Sequence, residues 1–296
     1  MGVIAPLTRG ELPEARDVLA AACAFDEAAA VADEKLFGDA PAGPGQAWGA
    51  RDGGALVGVA SASSAWIRVL AVTPAARGRG VGSALLDRAE QAVRASGASR
   101  VRAVNQPGNY LAPGLDERDA DTIAWLRRRG WVASDARNVN LRVEVDGNPR
   151  VSAALADDAA ERAATAGYRI RRGRRDEAAA LAAAIADGFG GAWPFEAARA
   201  LAFDPPGVHV AERDGAYAAF ACHDGNNQWL GWFGPAGTWA PHRSQGLGEA
   251  LLLACLVDVA ARRGVCEVAW IGPRGFYERI AGVAGERRFV PMHKEL

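Results

Sequence analysis

Two short runs of arginine and glycine carry the chemistry this sequence offers most openly: Arg77-Gly78-Arg79-Gly80-Val81-Gly82 and Arg243-Ser244-Gln245-Gly246-Leu247-Gly248. Each follows an apolar stretch that reads as a strand and leads into a run that reads as a helix. A glycine turn at a helix start suits phosphates, because the first helical amides have no intrahelical acceptor and the helix dipole adds positive potential there. The glycines remove β-carbons that would hold a diphosphate off those amides, and Arg77 and Arg243 add charge at the loop entrance. A P-loop would end in Lys followed by Ser or Thr, whereas Gly82 is followed by Ser83 and Ala84. A Rossmann fingerprint would need a glycine three residues after its second, where the first loop has Ser83.

The elements that must position these loops occur twice, in the same order. In the first half, a strand over Ile67–Val72 precedes the loop and a helix over Ala84–Ala95 follows it; in the second, the strand is read at Trp229–Phe233 and the helix at Ala250–Ala261. A short apolar strand comes next (Val101–Val104; Cys266–Ile271), then a helix ending in glycine (Ile123–Gly130; Phe276–Gly282). Each half opens on a strand (Val3–Leu7; Tyr168–Arg171), alanine-rich helical sequence and a hairpin, turning at Asp52-Gly53-Gly54 in Gln46–Ala60 and at Asp214-Gly215 in Val208–Ala221. Gly147, Asn148 and Pro149 break the chain between the halves, and Val151–Ala166 reads as a connecting helix. The expected division is therefore a domain over residues 1–146, a linker helix over 147–166 and a second domain over 167–296.

A chain of 296 residues fits two domains of ordinary size, and 50% hydrophobic with 23% charged residues is ample for a core. The net charge of -1 offers no field to hold a polyanion, which argues against nucleic acid and anionic membranes as partners. Cys23, Cys222, Cys255 and Cys266 have neither metal-ligand spacing nor a disulfide framework, so no metal is expected. Met1 to Arg9 lack a charged start followed by a long apolar run and no segment approaches bilayer length, so a cytoplasmic protein is expected.

Val72, Pro74, Arg77 to Gly82 and Leu85, and likewise Thr238, Pro241, Arg243 to Gly248 and Leu251, resemble the acyl-CoA motif of the GNAT acetyltransferase family. The two matches and their flanking elements together cover nearly the whole chain. The resemblance implies an α/β fold of two tandem GNAT domains, each a mixed, mostly antiparallel sheet flanked by helices. It implies acetyl-CoA as acyl donor, with transfer to a primary amine of a small molecule in a ternary complex. The acceptor is left open between a general small amine, a mycothiol synthase-like substrate and an amino sugar. A non-catalytic acyl-CoA-binding regulator is the rival from another class, and a homodimer is left open.

The family binds pantetheine along the strand ahead of the loop, which implies Leu70, Ala71 and Val72 in the first half and Gly237 and Thr238 in the second. A tyrosine of the late helix often protonates the departing sulfur there, and Tyr277 ahead of Gly282 resembles it. The first half has Trp125 or Leu126 at that place, depending on alignment, which puts its catalysis in doubt. Its extra segment, Asn105–Asp121, would lie over the pocket mouth and bring Tyr110 to the acceptor or the sulfur. Glu196, His223, Asp224 and Glu267 are the candidate proton acceptors of the second half. Trp193, Trp229, Trp232 and Trp239 are expected around its pocket.

Overall fold

The computed structural model describes residues 3–296. Up to residue 137 the chain forms β1 (Val3–Pro6), α1 (Leu12–Ala22), α2 (Ala32–Phe37), β2 (Gln46–Asp52), β3 (Ala55–Ser63), β4 (Trp66–Val72), α3 (Val81–Ala95), β5 (Arg100–Ala103), β6 (Leu115–Asp116), α4 (Ala120–Arg127) and β7 (Val132–Ala133). There follow β8 (Asn138–Glu144), α5 (Ala153–Thr165), β9 (Arg169–Arg172), α6 (Ala178–Gly188), α7 (Trp193–Ala202), β10 (Val208–Arg213) and β11 (Ala216–His223). The last elements are β12 (Trp232–Thr238), α8 (Leu247–Ala260), β13 (Val265–Val268), α9 (Arg274–Ile280), β14 (Gly285–Val290) and β15 (Met292–Glu295).

The chain divides into two compact units, and each contains one mixed, mostly antiparallel sheet flanked by helices. The first runs to Asn138 and takes in Arg288–Leu296; its strand order is β1-β2-β3-β4-β5-β15-β7. The second is Val139–Arg287, with strands ordered β14-β8-β13-β12-β11-β10-β9. This differs from the division expected at residue 146. Val139, Leu141, Val143 and Val145 alternate on one side of the chain, and Leu141 and Val143 stand opposite Val268 and Cys266 of β13 in the second unit's core. At the C-terminus, His293, Lys294 and Glu295 pair with Arg102, Val101 and Arg100 of β5, so the last strand belongs to the first unit's sheet.

The expected linker helix is also corrected. α5 packs on α8, where Ala159 meets Ala250 and Leu253 and Arg162 pairs with Glu249 at 2.7 Å. α8 is apolar almost all round: Leu247, Leu251, Leu252, Cys255, Leu256 and Val259 are buried in the sheet-facing core, and Leu253 points to α5. A helix apolar on every side must be covered on both. α3, by contrast, buries one stripe, Val81, Leu85, Leu86, Ala89 and Val93, at helical spacing. On the second sheet's other face, Leu181 and Ile185 of α6 and Ala197 and Leu201 of α7 close over Val208, Val210, Phe220 and Cys222.

The second unit's central strand lies later than expected. Asp224 to Gly231 form a loop, so Trp229 stands outside β12, which runs on to Thr238. Among the described residues no helix is long and apolar enough to cross a membrane.

Candidate functional site

In both units the strand ahead of the glycine loop parts from its parallel neighbour. β4 pairs with β5 only at Trp66 and Ile67, ending with the bond from the Val104 amide to the Ile67 carbonyl at 2.7 Å. β12 pairs with β13 only at Trp232 and Phe233, ending with the Ala269 amide on the Phe233 carbonyl at 3.2 Å. A bulge marks each point of divergence: Arg68 is the extra residue of β4, and Gly234-Pro235 interrupt the register of β12.

Beyond the bulges each strand keeps its antiparallel partner on one edge and opens the other. Because backbone groups alternate between edges, parity decides which residues face the opening. The Thr73 amide bonds Val57 of β3, which sends Thr73 and Ala71 to β3 and leaves Leu70 and Val72 on the open edge. The Trp239 amide bonds Ala218 of β11, so Gly237 is turned inward while Ala236 and Thr238 face the opening. The backbones of Ala71 and Gly237, both expected to bind a ligand, are thus engaged in the sheet. Ala236 rather than Gly237 presents its backbone to the open edge, and the two-residue period alone could have found it once β12 was placed.

The loops follow one path. Gly80 (φ 85°) and Gly246 (φ 74°) cap α3 and α8 in the left-handed region, and Gly78 (φ 74°) corresponds to Ser244 (φ 63°). No atom lies within 4 Å of where a β-carbon would sit on Gly78, Gly80 or Gly246, so these turns are open to a ligand. Arg77 Nε reaches back to the Val72 carbonyl at 3.2 Å, and Arg243 Nε to the Thr238 carbonyl at 3.3 Å. Each arginine therefore pins its loop to the end of the open strand as well as lending charge. Near the α3 start Arg79 is neutralised by Asp52 at 2.7 Å, and Arg129, which bonds Ser83 Oγ, adds a cation. The α8 start instead carries Glu249 in its first turn, neutralised by Arg162.

The late helices settle the alignment that the sequence left open. A β-carbon on Gly82 would lie 3.5 Å from the Trp125 ring, and one on Gly248 would lie 3.3 Å from the Phe276 ring. Trp125 and Phe276 thus cover the same turn of their units. Tyr277 therefore corresponds to Leu126, which is 5% exposed in the first core. The Tyr277 ring stands edge-on to Phe276 at 5.1 Å and to Phe233 at 6.2 Å, beside the point where β12 leaves β13. Burial, and secondarily the nearby Cys266, push its hydroxyl pKa up to about 12.

Comparison with known proteins places this geometry. Residues 14–115 match the acetyltransferase (GNAT) family. The structure aligns over 100% of this chain and 98% of the other with a tandem GNAT protein from the clavulanic acid biosynthesis pathway, at 20% identity and a TM-score of 0.66. The chain has a tandem GNAT fold. A GCN5-related N-acetyltransferase from Sphaerobacter thermophilus aligns over 99% and 95% of the two chains at 16% identity and a TM-score of 0.60. The glucosamine N-acetyltransferase region of a fungal multi-domain GH3 beta-N-acetylglucosaminidase gives a TM-score of 0.75 at 17% identity, with 99% of this chain covering 38% of that longer one. No curated protein matches the chain in sequence.

The remaining candidates of this tandem GNAT chain are scattered. Tyr110 is 7% exposed, within a stretch, residues 108–114, that is buried throughout. Asn109 explains why: its amide nitrogen bonds the Glu34 and Asp39 carbonyls, both at 3.0 Å, and its oxygen meets the fully buried Lys35, also at 3.0 Å. Glu267 is held by Asn140 at 2.7 Å and Arg287 at 3.2 Å. Glu196, 6% exposed in the first turn of α7, lies close enough to Cys222 to add to the burial that raises that thiol's pKa.

His223 and Asp224 are 1% and 0% exposed and bonded to each other at 2.8 Å. His209, His223 and Asp258 offer donor atoms within 4.8 Å of one another, a set able to hold a metal ion. Arg172, however, already takes both oxygens of Asp258 at 2.6 Å. With Arg262 on Asp224, two arginines balance two carboxylates, so a divalent cation would add uncompensated buried charge. The tryptophans do not all converge: Trp193 and Trp239 gather on Phe189, Trp229 packs at a tilt on Phe203 at 4.5 Å, and Trp232 is buried at the start of β12.

Proposed function

We propose that this chain transfers the acetyl group of acetyl-CoA to a primary amine of a small molecule, and that the second module performs the transfer. The observation that carries the reading is the twice-built divergence, a strand edge opened directly ahead of a glycine loop. The diphosphate lies on the amides that start α8 beyond Gly246. Pantetheine runs along the open edge of β12, exchanging hydrogen bonds with Ala236 and Thr238 as a third strand would.

The thioester then sits beside the Gly234-Pro235 bulge and Tyr277. The neutral amine attacks the carbonyl carbon to form C–N and a tetrahedral intermediate whose oxyanion the Ala236 amide meets. As it collapses the C–S bond breaks, the nitrogen sheds its surplus proton to water, and the tyrosinate left by proton donation regains one from there. Tyr277 gives its proton to the departing thiolate; like any phenol it carries that proton at neutral pH, and burial, which raises its pKa to about 12, makes it a weaker acid that donates only as the thiolate forms. Holding both substrates in line supplies much of the rate. The first module holds acetyl-CoA by the same loop and edge, Leu70 and Val72 with Arg77 to Gly82. Leu126 has no proton to give, so that module serves as scaffold and second cofactor site.

The glucosamine N-acetyltransferase region among the structural relatives makes amino sugars the first acceptors to try. The test is free-CoA release from acetyl-CoA across amino sugars, polyamines and amino acids. Amine-dependent release supports the reading. Acetyl-CoA binding with no amine-dependent release from any acceptor overturns it in favour of a regulator.

A further inference from the structure

The two strand bulges differ in what stands over them, and the difference is one of charge. In the first unit the extra residue of β4 is Arg68, which is 0% exposed. Its guanidinium donates to Gln106 Oε1 and to the carbonyls of Gly38 and Gly43, in the segment between α2 and β2. Lys35 of α2, also fully buried, comes to the same place: its carbonyl accepts from Ser61 Oγ at 2.8 Å, and Ser61 pairs with Val69, the residue after the bulge. The Lys35 ammonium is paired with Glu34 at 2.6 Å. Side chains therefore close over the first bulge, and two of them, Arg68 and Lys35, are cations.

The second unit builds the same place differently. The bulge of β12 is Gly234-Pro235, and no atom lies within 4 Å of where a β-carbon on Gly234 would sit. Opposite the bulge stands Cys222 of β11, between the pairs Ala221–Ala236 and His223–Phe233. α7 crosses there: Ala197, Ala200 and Leu201 pack with Phe220 and Cys222, and Glu196 belongs to the same buried stripe at helical spacing. A β-carbon on Gly225 would lie 2.6 Å from the Glu196 carbonyl, which fixes this turn of α7 just past the end of β11. Burial and then the Glu196 charge raise the Cys222 thiol pKa, so the carboxylate is felt beside the bulge.

Where the first module sets Lys35 over the strand beside its bulge, the second sets Glu196. Where the first fills the bulge with an arginine, the second leaves it open. Glu267, on the face of β13 opposite Cys266 and Val268, is already matched by Asn140 and Arg287.

We propose that Glu196 anchors the acceptor of the second module, holding it as a primary ammonium ion at the Gly234-Pro235 bulge, while Arg68 and Lys35 keep amines out of the first. The inference rests on the acetyl-transfer reading and names the group that recognises its acceptor. A carboxylate set among apolar side chains attracts an ammonium more strongly than one in water, because less solvent screens the pair. The same low dielectric turns Arg68 and Lys35 against a cation. Anchoring brings the nitrogen to the thioester carbon; once one ammonium proton passes to water, the neutral amine is in place to attack.

The test is amine-dependent thiol release, with the acceptor turned over fastest among amino sugars, polyamines and amino acids, beside titration with acetyl-CoA. Glu196→Gln should raise the KM for the amine about 10- to 100-fold, as expected for a lost hydrogen bond to a charged group, with most of kcat kept and acetyl-CoA affinity unchanged. Glu196→Asp should recover part of the loss, and Gly246→Glu should abolish turnover. An unchanged amine KM in Glu196→Gln, or turnover that persists in Gly246→Glu, overturns the proposal. Should Glu196→Gln fail to fold, the wild type decides: the same acceptor with a hydroxyl in place of its amine must compete at least about tenfold more weakly than the amine binds, and closer competition overturns the anchor. No release from the wild type with any amine overturns the acetyl-transfer reading and the anchor together, whereas release with an unchanged KM in Glu196→Gln overturns the anchor alone.

Discussion

Removing the Tyr277 hydroxyl alone separates chemistry from structure. Among the described residues that hydroxyl makes no hydrogen bond, while its ring is fixed by Phe276 and Phe233. Tyr277→Phe keeps every ring contact and removes no partner, so stability should change by no more than about 0.5 kcal/mol. A positioned general acid contributes roughly 10²–10⁴ in rate, and a thiolate, being a good leaving group, needs the lower end. We therefore expect kcat to fall about 100-fold, or about 2.7 kcal/mol of transition-state stabilisation at about 1.36 kcal/mol per tenfold. Acetyl-CoA affinity should be unchanged, because the proton is given only as C–S breaks. With the hydroxyl protonated up to about pH 12, wild type should show no loss of rate to Tyr277 ionisation below pH 9, and the variant should show the same profile at a lower plateau. The assay is thiol release with and without amine, beside a calorimetric titration with acetyl-CoA. Full activity in Tyr277→Phe, or a fall in rate matched by an equal fall in acetyl-CoA affinity, would refute the reasoning.

Other consequences are as direct. Ser244 holds the left-handed conformation that Gly78 takes in the first loop, so thermal melts should show Gly78→Ser destabilising by about 1 kcal/mol and Ser244→Gly stabilising by a smaller amount. Arg171, 11% exposed, neutralises Glu177 and Glu212; Arg171→Met leaves those carboxylates facing each other and should cost about 3 kcal/mol at pH 7 in denaturant unfolding. Since Glu177 and Glu212 both have lowered pKa values in the fold, that cost should shrink as pH falls below about 4.5, which urea midpoints across pH would show. A β-carbon on Gly188 would meet the Trp239 indole nitrogen at 2.4 Å, so Gly188→Ala should destabilise by about 1–3 kcal/mol, read as a lowered Tm.

How much of this was legible in the sequence depended on which forces were local. The glycine loops, the hairpins at Asp52-Gly53-Gly54 and Asp214-Gly215 and the paired order of elements are set by turn chemistry and hydrophobic period within a dozen residues, and the sequence places them well. The ownership of β8 and β15 is a long-range matter. Val139 to Val145 alternate as any strand would, and only their match to Cys266 and Val268 assigns them to the second unit. α5 reads as a linker because its own composition is bland; the clue lay in α8, whose apolar surface on every side requires a second cover. Trp229 to Phe233 look like a strand by composition, but Asp224 folds back on the Gly231 amide and turns the first part into a loop. His223 and Asp224 look like reactive groups in sequence, whereas Arg262, Asp258 and Arg172, far along the chain, make them parts of one buried network.

The most direct test of the central claim is calorimetric titration of the purified chain with acetyl-CoA, repeated on Gly80→Glu, Gly246→Glu and the double variant. The geometry predicts two sites per chain, one lost in each single variant and both lost in the double. No saturable heat with the wild type, or an undiminished heat with the double variant, would contradict the assignment of the glycine loops and the open strand edges to the cofactor.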